Sequence, residues 1–255
     1  IQFVTAATAS ADAAISSSVM MVMDANSRIS LSNNDAGGTT NTIFGKLAGD
    51  DLESGAANNL FIGENAGHTN RLSDRNMAIG FGAMDLAYID DTQDALTVDN
   101  IFIGHDAGGG DWAGSASHSN VAIGSYSMDA NLNGALGNTA VGHNTLSANT
   151  TSDYNTAIGT GVLVLNTGAS NTSVGGNSLA NNVGGQNNNA FGYAALNANT
   201  SADENTALGY FSLFLNQTSA GNTAVGSQSG RNTTGADNTY VGFSAGKGTS
   251  TGANA

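Results

Sequence analysis

The stretch "NTAIGTGVLVLNTGASNTSVG", residues 155–175, contains one five-residue phrase twice, first as NTAIG and then as NTSVG. Counted along the chain, the phrase occurs twelve times between residue 41 and the C-terminus, always with an Asn four positions before a Gly and an apolar residue just before that Gly. We number positions from this glycine, which is position 0, so the Asn lies at −4. An internal repeat of this kind determines the fold before any other feature does.

The repeat length predicts a β-solenoid. Most successive glycines follow one another at a nearly constant interval, as Gly142, Gly159 and Gly175 do, and the interval is longer only from Gly80 to Gly104 and from Gly104 to Gly124. About 17 residues are too few for two helices and a loop, and they fit one coil of a narrow all-β solenoid. We expect two short strands per coil, one before the glycine and one around the small residue at +3 and the Leu, Met or Gly at +4. Residues 1–40 are predicted to be an N-terminal lead-in or cap, and 41–255 the solenoid of about twelve coils.

Alternation along a strand predicts which residues are buried. The large aliphatic residues at −1 are expected to fill the coil, and the small residues at −2, such as Ala157, to form close contacts between chains. Two apolar faces therefore predict packing as a homotrimer. The Asn column is expected to stack as a hydrogen-bonded ladder, and the glycines to make the bend. The structural repeat residues are Asn138, Asn155, Asn171, Asn205 and Asn222; Val141, Ile158, Val174, Leu208 and Val225; and Gly142, Gly159, Gly175, Gly209 and Gly226.

A column of threonines at −3 raises the alternative of ice binding. It comprises Thr42, Thr139, Thr156, Thr172, Thr206, Thr223 and Thr239. Positions −3 and −1 share a strand face. If the −1 residues are buried, the threonines point inward as well, and the pattern argues against ice binding.

Composition excludes several classes of protein. The chain has 255 residues, no Cys, no Pro, 40% hydrophobic and 10% charged residues, and a net charge of −14. Without Cys there is no disulfide, thiol catalysis or thiolate metal site, and the acidic balance argues against nucleic-acid binding. Sixteen of the 20 acidic residues and four of the six basic ones lie before residue 131, so the first half carries −12 and the second −2.

The sequence predicts no membrane insertion. The longest apolar run lies near Met20–Met23. It is far shorter than the stretch of roughly 18 residues that a membrane helix needs. Because the chain starts at Ile1, we expect a trimmed or processed piece.

No motif predicts an enzyme or a cofactor. There is no G-x-S-x-G elbow, P-loop or dinucleotide-binding glycine motif. The four histidines His68, His105, His118 and His143 lack metal-ligand spacing. Asp90, Asp91 and Asp94 offer oxygen ligands of the type Ca²⁺ takes, but they match no calcium motif, and a solvated acidic loop is the preferred interpretation.

The two long intervals predict inserted loops at 83–100 and 104–120. Insertions in solenoids often mark the binding face. Together the loops carry aromatic and acidic side chains of a composition common in sugar-binding sites, and we predict receptor contacts at Tyr88, Asp90, Asp91, Asp94, Trp112 and His118. The alternative for Trp112 is that its ring covers the edge of the core.

The repeats resemble a known class of fibre protein. "NTALGYFSLFLNQTSAGNTAVG", residues 205–226, is similar to the Asn-Thr-Ala-hydrophobic-Gly repeats of bacteriophage tail fibres, especially those of marine phages. It is also similar to the β-roll heads of trimeric autotransporter adhesins. The resemblance implies a homotrimeric virion fibre that joins other tail proteins and binds a host-surface glycan or protein. The alternatives are a bacterial surface adhesin head and a fibre-borne enzyme that degrades glycans.

Overall fold

The computed structural model describes residues 40–53, 55–85, 97–110, 112 and 115–248, together with the backbone of residues 22–23 and 29–30. Strands β1 (Val22–Met23) and β2 (Ile29–Ser30) form an antiparallel pair. Twelve further short strands follow, all ending at position −1. They are β3 Thr42–Phe44, β4 Leu60–Ile62, β5 Met77–Ile79, β6 Ile101–Ile103, β7 Val121–Ile123, β8 Thr139–Val141, β9 Thr156–Ile158, β10 Thr172–Val174, β11 Asn189–Phe191, β12 Thr206–Leu208, β13 Thr223–Val225 and β14 Thr239–Val241.

The twelve strands form one parallel sheet in sequence order. Each strand pairs with the next in the same register, so that Thr156 lies beside Thr172 and Ile158 beside Val174. The chain thus winds through about 11 turns of about 17 residues, and the described residues contain no helix. The predicted β-solenoid is confirmed. At the ~4.8 Å spacing of neighbouring strands, the sheet is roughly 50 Å long.

Each coil contributes one strand to the sheet, and the predicted second strand is wrong. Residues after the glycine form turns, because positions +2 and +4 adopt the left-handed conformation, as at Asn177 (φ 56°) and Leu179 (φ 48°). Such residues interrupt an extended strand. Backbone hydrogen bonds still connect these turns from coil to coil; for example, the Leu179 N–H donates to the Ala195 carbonyl at 3.0 Å.

The repeat glycine makes the bend at the end of the strand. Gly209 has a φ of 142°, a value that L side chains rarely adopt. A Cβ added there would also collide with the carbonyl group of Gly226 in the next coil. Gly142, Gly159, Gly175 and Gly226 show the same two features, with φ between 120° and 136° and the next glycine close to the added Cβ. The predicted role of these five residues is confirmed.

The strand faces are reversed relative to the prediction. Ala157 is fully buried, whereas its neighbour Ile158 is 40% exposed. The same inversion holds at the other predicted core positions, where Val141, Val174 and Val225 are half-buried and Leu208 is exposed. In the Ala157 coil the interior is already occupied by the buried Leu163 at +4, so only a small side chain fits inward from the strand. The −1 residues are therefore not the core.

The core instead combines the −2 residue with the residue at +4. Seven coils pair a small inward residue with a buried Leu or Met, as Ala157 does with Leu163. Where the inward residue is large, +4 is a glycine: Ile43 with Gly49, Phe61 with Gly67, Phe102 with Gly108 and Tyr240 with Gly246. In the one remaining coil, Ala224 is accompanied by Gly230, and Leu213 and Tyr240 from the adjacent coils fill the space beside that glycine.

The asparagine ladder is confirmed. Along the −4 column, Oδ1 of one Asn accepts the backbone N–H of the next, as Asn171 Oδ1 does from Asn188 at 3.0 Å. The Asn188 side-chain amide donates to the same oxygen at 3.2 Å and to the Ala202 carbonyl at 2.8 Å. Asn138, Asn155, Asn171, Asn205 and Asn222 are all fully buried. The ladder thus satisfies a row of amides inside the solenoid.

A second, shorter asparagine column lies at position +7 and was not predicted. In five consecutive coils it comprises the buried residues Asn149, Asn166, Asn182, Asn199 and Asn216. Asn182 Nδ2 donates to Asn166 Oδ1, and Asn199 Nδ2 donates to Asn182 Oδ1, both at 2.7 Å. These amides also bond to carbonyls of the polar turn that closes the coil. No membrane-length apolar helix occurs in the described part of the chain.

Candidate functional site

The outward face of the sheet is a candidate interaction surface. Its main feature is the column of −1 side chains, which we call the sheet-face stripe: Phe44, Ile62, Ile79, Ile103, Ile123, Val141, Ile158, Val174, Phe191, Leu208, Val225 and Val241. All twelve are exposed or half-buried. An apolar column that runs the length of the sheet is typical of an interaction site rather than of a solvated surface.

No charged side chain occupies this face of strands β3 to β14. The −3 residues share it with the stripe, and every residue at the two positions is uncharged. The face contrasts with the whole chain, which carries a net charge of −14. Parallel sheets are usually covered on both faces, and charged residues are depleted at the core of protein interfaces. The face thus has the composition of an interface core.

The threonine column also lies on this outward face. Thr139, Thr156, Thr172, Thr206 and Thr223 are half-buried, and Thr42 and Thr239 are exposed. The prediction that −3 shares a face with −1 is correct, but that face points to solvent. The expectation of inward-pointing threonines is therefore wrong, and the reason it gave against ice binding does not hold.

Trp112 is part of the core and not of an exposed binding loop. Its exposed fraction is 1%, and its ring packs edge-on against Phe102 with centroids 5.3 Å apart. Its indole Nε1 has no hydrogen-bond partner. The longer 104–124 coil holds this large ring inside. The prediction of receptor contact by Trp112 is therefore wrong, and the alternative of a core residue holds.

The other predicted receptor-binding residues give no exposed cluster within the described part of the chain. His118 is half-buried and forms part of the coil backbone, where its N–H donates to the Ala135 carbonyl at 3.3 Å and its carbonyl accepts from Gly137 at 3.1 Å. Among the described residues, no hydrogen bond or ring contact joins His118 to Trp112. Tyr88, Asp90, Asp91 and Asp94 lie outside the described residues, and so does most of the predicted 83–100 loop.

Two carboxylates in the first half have a raised pKa. Burial raises the pKa of Asp129, and the neighbouring Asp106 carboxylate raises it further. Burial also raises the pKa of Asp85, while His68, whose Nδ1 lies 3.2 Å from Asp85 Oδ1, opposes that shift. In the described ranges, no group of three or more His, Asp and Glu side chains is arranged to hold a metal ion.

Aromatic side chains form a second surface feature that sequence reasoning missed. Tyr193 and Tyr210, both at +1, are about half exposed and lie nearly parallel, with ring centroids 5.8 Å apart. Phe211 packs edge-on against both, and Phe214 against Phe211. The Arg231 guanidinium carbon lies 5.7 Å and 5.3 Å from the centroids of Phe211 and Phe214. We call these five residues the aromatic ledge. The signal in the sequence was the occurrence of Tyr at +1 in two consecutive coils, after Thr160 and Gly176 at that position in the two coils before them.

No family model, curated protein or solved structure matches this chain. Within the described residues, the uncharged sheet face and the aromatic ledge are two candidate interaction surfaces.

Proposed function

We propose that this chain is a shaft segment of a homotrimeric attachment fibre, in which the sheet-face stripes of three copies pack together. The observation that carries the proposal is the face without charge: positions −1 and −3 are uncharged in all twelve coils of a chain whose net charge is −14. Burying such a face leaves no ion unpaired, and so avoids the main cost of burying a protein surface.

The stripe replaces the small −2 residues as the contact between chains. Because Ala157 is buried within its own coil, it is not available to a partner. The face is about 50 Å long and about 10 Å wide at the usual strand dimensions, which places it among the larger apolar patches of soluble proteins.

The three-fold arrangement and the virion context come from the resemblance to phage tail fibres, where multivalent binding would benefit from several chains on one shaft. A bacterial adhesin head remains the alternative setting.

Sedimentation velocity tests the assembly. We expect the wild type to sediment with three times the 25.4 kDa mass of the chain. Ile158→Lys with Val174→Lys should give folded monomers, because each lysine would have to be buried unpaired in the interface. Tyr154→Lys, at a 64% exposed residue outside the strand, is the matched control and should keep the wild-type mass. A monomeric wild type would contradict the proposal.

Ice binding is a second candidate, and one observation favours it. The threonines at −3 project outward in register on a parallel sheet, with rungs ~4.8 Å apart. A regular, uncharged array of this kind would need a free face. If the wild type is monomeric and inhibits ice recrystallisation, and if Thr156→Lys abolishes the effect, the face binds ice rather than a second copy of the chain.

A further inference from the structure

We infer that the aromatic ledge is a glycan-binding site that stacks sugar rings on Tyr193 and Tyr210. The inference names the partner class for the attachment role and rests on the proposed function to that extent. It concerns a different surface from the stripe, because the two tyrosines follow the glycine bend and lie outside the strands. It also replaces Trp112 as the candidate receptor contact.

The ledge is not required by the core of its own coils. The interior there is filled by Ala190 with Leu196 and by Ala207 with Leu213, all of which are fully buried. Four other coils have a small residue at the position of the two tyrosines, namely Ser125, Thr160, Gly176 and Ser227, and the remaining six have a larger one. Since the coil forms with a small residue at +1, large rings left half in solvent are better explained by binding than by folding.

The ledge combines planar rings with hydrogen-bond donors. Tyr193 and Tyr210 present apolar rings with a polar end, a combination enriched at binding surfaces. Arg231 lies over Phe211 and Phe214, and the attraction between a guanidinium and an aromatic ring favours this placement. A pyranose has an apolar C–H face and a rim of hydroxyl groups. Its C–H face would stack on the tyrosine rings. Its hydroxyl groups would accept hydrogen bonds from Arg231, and they could both donate hydrogen bonds to the tyrosine hydroxyls and accept hydrogen bonds from them.

Charge favours a neutral glycan over other ligands that stack on aromatic rings. A single-stranded nucleic acid needs a positively charged groove beside the rings, and residues 131–255 contain only Arg231 and Lys247 as basic side chains. The five ledge residues include no carboxylate. The second half of the chain carries −2, whereas the first carries −12. The ledge therefore lies in the half of the chain with the smaller net charge, which suits a neutral polymer.

Affinity electrophoresis in native gels tests the inference, with mannan, laminarin or hydroxyethylcellulose as the immobile probe. We expect at least one of these neutral polysaccharides to retard the wild type. The double variant Tyr193→Ser with Tyr210→Ser should still fold, because the next coil already has a serine, Ser227, at the same position. Loss of two stacked rings should weaken apparent affinity on the order of tenfold or more. Tyr154→Ser, at an exposed tyrosine away from the ledge, should be retarded as strongly as the wild type.

Sedimentation of the same samples separates the two proposals. If the wild type is retarded but monomeric, the result supports the glycan site and contradicts the trimer. If the wild type is a trimer and none of the three polysaccharides retards it, the result overturns the glycan site and supports the fibre. Equal retardation of the double variant and the wild type also overturns it. A double variant with a changed mass would show that the ledge contacts a second copy, which again overturns glycan binding.

Discussion

The ring of Phe102 occupies the space in which a side chain at Gly108 would lie. A Cβ built on Gly108 would come within 2.6 Å of the Phe102 Cδ1 and Cε1 atoms. Gly108 stands six positions after Phe102, and the same step leads from Ala157 to Leu163, where the sizes are exchanged. Each of these coils thus holds one large side chain from this pair of positions, supplied either by the strand or by the turn.

In the Ala157 coil, a large residue at −2 and a glycine at +4 should be tolerated only when both are introduced together. Ala157→Phe alone overpacks a filled interior and should cost about 1–3 kcal/mol or more. Leu163→Gly alone leaves a cavity and should cost about 2–5 kcal/mol. The double variant reproduces the Phe102–Gly108 arrangement, and we expect it to recover about 0.5–3 kcal/mol relative to the sum of the single effects. Urea denaturation at one protein concentration measures all four chains. Strict additivity would show that the two side chains do not share one space.

The two neighbours Asn188 and Asn189 provide a matched test of the ladder. Asn188 is buried, and its Oδ1 accepts the Asn205 backbone N–H at 3.0 Å and the Asn205 side-chain amide at 3.2 Å. Asn188→Ala leaves these buried donors without that acceptor and should destabilise by roughly 2–4 kcal/mol. Asn189 points outward from the next position, so Asn189→Ala should change the melting temperature little. Equal effects in a thermal melt would remove the ladder as a source of stability.

Sequence periodicity was sufficient for the solenoid, the glycine bend and the asparagine ladder, because these follow from residues that recur in every coil. It did not predict which of Ala157 and Ile158 is buried. Hydrophobicity favours burial of the isoleucine, whereas the volume inside this coil admits only the alanine. That volume depends on Leu163, which no local pattern connects to the strand. Trp112 was misassigned because a lengthened coil resembles a surface loop. The partner of the sheet face depends on a second molecule, and one chain cannot specify it.

Truncation of Trp112 should destabilise the fold rather than weaken attachment selectively. The ring is buried against Phe102, and removal of a buried Trp side chain typically costs about 3–5 kcal/mol. We expect Trp112→Ala to lower the midpoint of chemical denaturation strongly, and Trp112→Phe to do so less. Tyr154→Ala removes an exposed ring. Surface substitutions of this kind usually change stability by about 0.5 kcal/mol or less, so its midpoint should stay near that of the wild type. A wild-type midpoint for Trp112→Ala would show that the ring is not part of the core.

The raised pKa of Asp129 predicts a pH-dependent effect of its removal. Burial lifts this pKa above its ordinary value of 3.8. The folded state is therefore penalised once pH rises through the folded pKa, and the penalty disappears below the ordinary value. Asp129→Asn should raise the melting temperature at neutral pH and have little effect in acid near that ordinary pKa.

Asp99→Asn is the control of opposite sign for this measurement. The Arg75 guanidinium, which donates to both Asp99 carboxylate oxygens at 2.6 and 3.0 Å, lowers the pKa of Asp99. A group with a lowered pKa stabilises the fold above its ordinary pKa. Its removal should lower the melting temperature at neutral pH or leave it unchanged. Stabilisation by Asp99→Asn but not by Asp129→Asn would contradict the assigned directions.

Disulfide cross-linking of the sheet-face stripe tests the account most directly. The chain has no cysteine, so Ile158→Cys introduces a single thiol on the stripe, and Tyr154→Cys introduces one at an exposed residue four positions earlier. If stripes of neighbouring copies meet, mild oxidation at low protein concentration should convert Ile158→Cys rapidly into linked pairs of chains, with Tyr154→Cys reacting far more slowly. The two thiols reacting at the same slow rate would contradict the claim that the stripe is the contact between copies.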